Sequence, residues 1–285
     1  MIVIWVEECL PDTFPPDFRQ QRPERYWELS GWCRPVSLGN AVLQHRPWAK
    51  YVYESWVWRF LHQEIFRHGS LTWAGNDAAR DRGGANGAGG AMNAQFESLF
   101  DSGQRLVTPQ QYEARIQQRA ALMDQIRNGL VHPNRNDIIT GWLVTEMLVA
   151  FHPYFSDVYK PIDHAQNIEV LIRDTKFLVE KARELDGKLR SARRVYDLIL
   201  GREGAVCRIS GVPSPALQRY VRAGNESRDP DYLDDDSLIS LIVVPGLVRL
   251  DVTDSIYDDD DTLTRTVVRH ARAFAQTDLL AALRT

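Results

Sequence analysis

The stretch DHAQNIEVLIRDTKFLVEKARELDGKLRSARRVYDLILG, residues 163–201, decides the fold class. Within it Ile168, Leu171, Thr175, Leu178, Ala182, Leu185, Leu189, Ala192, Tyr196 and Ile199 alternate steps of three and four residues, without a slip across Gly187. Residues three and four apart share one side of a helix, so this rhythm predicts one long coiled-coil-like helix over about 163–200. Ile172, Val179 and Leu200 widen the stripe beyond a two-position seam. A wide stripe favours a bundle helix covered by its own chain over an intermolecular coiled coil.

Upstream, Pro47 and Gly69 bracket a helix in which Trp48, Val52, Trp56 and Phe60 recur every four residues, beside Val57, Leu61 and Ile65. Thr108, Pro109 and Gln111 make a capping-box start to a helix that ends near Leu130, because Pro133 disfavours helical geometry at His132. A further helix over Asp137–Phe151 is apolar on nearly every side (Ile138, Trp142, Leu143, Val144, Met147, Val149) and reads as a central core helix. Residues 1–46 lack sustained periodicity and read as irregular wrapping with a short strand at Ile2–Val6.

Downstream, LIVVPGLVRLDV at 241–252 pairs two β-rich runs across Pro245-Gly246 and predicts a small β-hairpin over about 240–252. The tail from Thr262 to Arg284 reads as a terminal helix capped by Asp261. The architecture expected is thus mainly α: a multi-helix bundle in a single domain over 1–285, with a flexible glycine-rich loop at 80–92 and an acidic hairpin and loop region at 225–261.

Hydrophobic residues make up 44% and charged residues 25%, which excludes wholesale disorder. No secretory signal or membrane-length apolar run is legible, and the three cysteines, Cys9, Cys33 and Cys207, are odd in number and widely spaced. The expected compartment is the cytoplasm, with the nucleus kept open, and no membrane association. Net charge is only -4 but uneven: residues 187–208 are basic and 226–261 strongly acidic. Asp234 to Asp236 and Asp258 to Asp261 lack the glycine and terminal glutamate of an EF-hand loop and read as solvated turns, so no metal and no cofactor is expected. The glycine-rich stretch lacks the strand before it and the Gly-Lys-Ser/Thr after it that a phosphate loop requires.

One stretch carries candidate chemistry. IRNGLVHPNRN at 126–136 resembles the R-x4-6-H motif of the HEPN ribonuclease family, with Arg127, Asn128 and His132 in the motif positions. The resemblance implies a helical bundle that cleaves RNA without metal and pairs two motifs across a dimer. A histidine can move the proton of the attacking 2′-hydroxyl, an arginine can oppose the phosphorane charge, and Asn128 would orient them. The same residues equally suit a helix end, where cations neutralise the last carbonyls, and TRTVVRH repeats the spacing with Arg265 and His270. A second stretch, SWVWRFLHQEIFRHGSLTWAG at 55–75, resembles an uncharacterised family of filamentous-fungal proteins, which implies an origin and no activity.

No other catalytic constellation stands out, so the function expected is a non-enzymatic protein-interaction or scaffolding protein. The alternatives are a HEPN-like metal-independent ribonuclease using Arg127 and His132, and a small-molecule binder with a pocket walled by tryptophans, seven of which lie at or before Trp73. The partner class expected is protein; a homodimer and nucleic acid are kept open.

Overall fold

The computed structural model describes residues 1–66 except 12, 15, 34–35 and 45–47, then 109–125, 133–154, 165–192, 195–199, 217–219, 239–252, 263–269, 271–275 and 280. These residues are mainly helical, with a smaller β portion, as the periodicities predict. The helices are α1 (Ile2–Cys9), α2 (Phe18–Gln21), α3 (Pro23–Gly31), α4 (Val36–Gln44), α5 (Ala49–Leu61), α6 (Pro109–Gln125), α7 (Pro133–Phe151) and α8 (Ala165–Ser191). A π-helical turn, His62–Phe66, continues α5, and a 3-10 turn, His152–Tyr154, follows α7.

The N-terminal quarter is helical where irregular chain was expected. In α1 the buried positions are Ile2, Trp5, Val6 and Cys9, the i, i+3, i+4, i+7 set of one helix face, whereas Ile4 is exposed. A strand would have put Ile2, Ile4 and Val6 on one side, so packing on α5 and α8 overrides the β-branched composition. Between α3 and α4, a Cβ on Gly39 would lie 2.2 Å from the Ser30 carbonyl oxygen, so only glycine permits this approach.

The long helix is present but shorter than predicted. α8 stops at Ser191, and Val195–Ile199 forms strand β1 instead of its last turns. Tyr196 and Ile199 keep the heptad spacing, yet β1 meets β4 in antiparallel register from Val195 opposite Leu250 to Ile199 opposite Gly246. Periodicity over so few residues cannot separate a helical turn from a strand; the partner does.

The other strands are β2 (Leu217–Arg219), β3 (Ile239–Val244), β4 (Gly246–Val252), β5 (Leu263–Arg269) and β6 (Ala271–Ala275), in two sheets ordered β1-β4-β5 and β2-β6-β3. The two runs expected to fold against each other across Pro245-Gly246 are both strands, but they do not pair with each other. They are consecutive halves of one bent arm, and the facing arm is β5 and β6, the segment expected to be a terminal helix. Val244 pairs with Arg272 and Leu247 with Arg269, so the antiparallel register runs on through the bend. Proline supplies no ladder N–H at position 245, and a Cβ on Gly246 would lie 3.0 Å from the Ala271 nitrogen, which explains the break there. Leu241, Ile242 and Val243 are all buried, so β3 is covered on both faces.

One hydrophobic cluster joins the helices and the ribbon, with Trp5, Tyr53, Leu143, Met147, Phe151, Leu178, Leu241 and Phe274 among its members. Ser55 Oγ donates to the Ile242 carbonyl at 2.7 Å, and the Phe274 ring lies 4.8 Å from that of Trp48 and 5.1 Å from that of Tyr51, tying β3 and β6 to α5. Among the described residues no helix is long and apolar enough to cross a membrane.

Candidate functional site

The ribonuclease-like positions Arg127, Asn128 and His132 lie outside the described residues, in the stretch between α6 and α7, as do the glycine-rich 80–92 and both aspartate clusters. Arg265, the first residue of the repeated spacing, sits on β5 opposite Leu250, so that copy begins on a strand and not at a helix end. Among the described residues no group of three or more His, Cys, Asp or Glu is placed to hold a metal ion.

The early aromatic residues pack against one another. Trp56 lies 4.3 Å from Phe151 and 5.3 Å from Tyr154 between ring centroids, Phe14 lies 4.3 Å from Tyr53, and Trp5 meets Phe151 edge-on at 5.5 Å. Arg25 covers the Trp56 ring at 4.9 Å and Arg59 the Trp32 ring at 4.7 Å, arrangements in which a guanidinium meets the negative face of a π system. These tryptophans therefore serve the core and its edge. The Tyr26 and Tyr53 hydroxyls are buried without a hydrogen-bond partner, and burial holds the Tyr53 phenol well above its usual range. Burial likewise pushes the Cys9 and Cys33 thiols up to about 12, which leaves both protonated and poor nucleophiles near neutrality.

Polar contacts within the body act as struts. Arg190 Nε meets Asp186 Oδ2 at 2.7 Å, with both side chains less than a tenth exposed, and Arg190 Nη2 reaches the carbonyls of Phe66 at 3.3 Å and Ile65 at 3.5 Å. This pair joins the C-terminal end of α8 to the π-helical turn. Arg183 Nη1 donates to Thr140 Oγ1 at 2.5 Å, joining α8 to α7, and Trp5 Nε1 donates to Thr175 Oγ1 at 3.1 Å, joining α1 to α8. Charge counting along 187–208 assigns Arg190 to a basic surface; the structure instead buries it against a carboxylate. The i, i+4 spacing of Asp186 and Arg190 was the legible signal.

Among the described residues, one helix face that carries largely uncovered apolar side chains is the outer face of α7. Its inner face, Thr140, Leu143, Val144, Met147 and Phe151, is buried against the body. The opposite face carries Ile138, 65% exposed, and Val149, 66% exposed, with half-buried Trp142 and exposed Thr145 between them. Gly141 on the same side is exposed, and a Cβ there would have nothing within 4 Å. The helix expected at the centre of the core is covered on one side only.

Comparison with known proteins adds no assignment: no protein-family model, no curated protein and no solved structure matches the chain.

Proposed function

We propose that this chain is a non-enzymatic protein-interaction or scaffolding protein that docks a partner on the outer face of α7. The observation carrying this reading is the exposure of Ile138 and Val149 on a helix whose other side is already in the core. Covering either side chain fully is worth about 1–2 kcal/mol, and a run of such residues on one face is the feature that distinguishes a docking surface from single apolar residues scattered over a protein. The buried thiols and the mutually packed aromatic rings support the same reading, because they are used for stability and not presented to a ligand.

The test is sedimentation of the tagged full chain in native extract, beside an Ile138→Glu/Val149→Glu variant. The parent is expected in an assembly heavier than its 32.6 kDa, and the variant at the mass of one chain. Equal sedimentation of the two would overturn the reading. So would metal-independent cleavage of RNA by the purified chain that His132→Ala abolishes, which is the outcome of the ribonuclease alternative.

A further inference from the structure

We draw no further inference here: the strongest candidate, the surface patch around α2, α3 and α5 where the Arg19, Arg25 and Arg59 guanidiniums lie over the rings of Trp27, Trp56 and Trp32, carries nothing because Glu28 pairs with Arg25 inside it and nothing in the structure shows what covers it.

Discussion

The two longest helices among the described residues, α7 and α8, lie side by side and were read from sequence by the same rule, yet they differ in how their apolar and charged residues are arranged around the helix. In α8 the stripe is periodic, and the structure buries much of it: Leu171, Thr175, Leu178, Val179, Ala182 and Asp186 face inward, while Arg173, Lys176, Glu180, Lys181, Glu184 and Lys188 face water, with Ile172, Phe177 and the stripe residue Leu185 exposed as well. On that outer side Lys181 and Lys188 bind Glu184, and these hydrogen bonds hold its carboxyl down at about 2. In α7 apolar residues occupy both sides, and only one side is covered. A clean period records that the chain supplies one neighbour and water the other. In α7 the period is lost because apolar residues also stand on the side that faces water.

The comparison is most severely tested at the buried charge on α8. Asp186→Ala leaves the Arg190 guanidinium buried against the Ile65 and Phe66 carbonyls without its carboxylate, and should cost about 3–5 kcal/mol in urea unfolding. A cost under about 1 kcal/mol would show that the pair is wetter than its geometry implies. On α7 the two faces should separate in the same assay. Met147→Ala on the inner face should cost about 2–5 kcal/mol, and Ile138→Ala on the outer face no more than about 0.5 kcal/mol at concentrations where the chain is monomeric. Equal costs would abolish the distinction between the faces.

The smallest effect is in alkali. Cys9 sits on the inner face of α1, where burial, Glu8 and Asp174 of α8 raise its thiol from 9.0 to about 12. The unfolded thiol releases its proton above pH 9.0 while the folded one keeps it, so its contribution to stability is complete below that pH and is lost as pH rises toward 12. Melting temperature should fall less steeply over that window in Cys9→Ala than in the parent. Parallel profiles would mean that α1 does not shield the thiol as its docking on α5 and α8 requires.

Several features were legible because they need only local information. The Pro109 start of α6 follows from where proline is tolerated, and the interior of α8 follows from a repeat long enough to exclude chance. The α1 helix was missed because IVIWV satisfies strand and helix templates alike over five residues, and its contacts with α8 come from residues 170 positions away. The tail was missed for the reverse reason: TRTVVR can lie in a helix, and becomes β5 because β4 offers it a ladder. For the candidate site, the apolar content of α7 was plain, while the orientation that leaves Ile138 and Val149 in water was not.

By itself the sequence determined that apolar side chains would line helices packed on one another, because a face repeating every three to four residues has few other ways to leave water. Only the tertiary structure decided where α8 hands over to a strand, which arm the ribbon pairs with, and which side of α7 stays uncovered. Those outcomes depend on partners far away in the chain, and a segment's own residues specify what must be buried without specifying what does the burying.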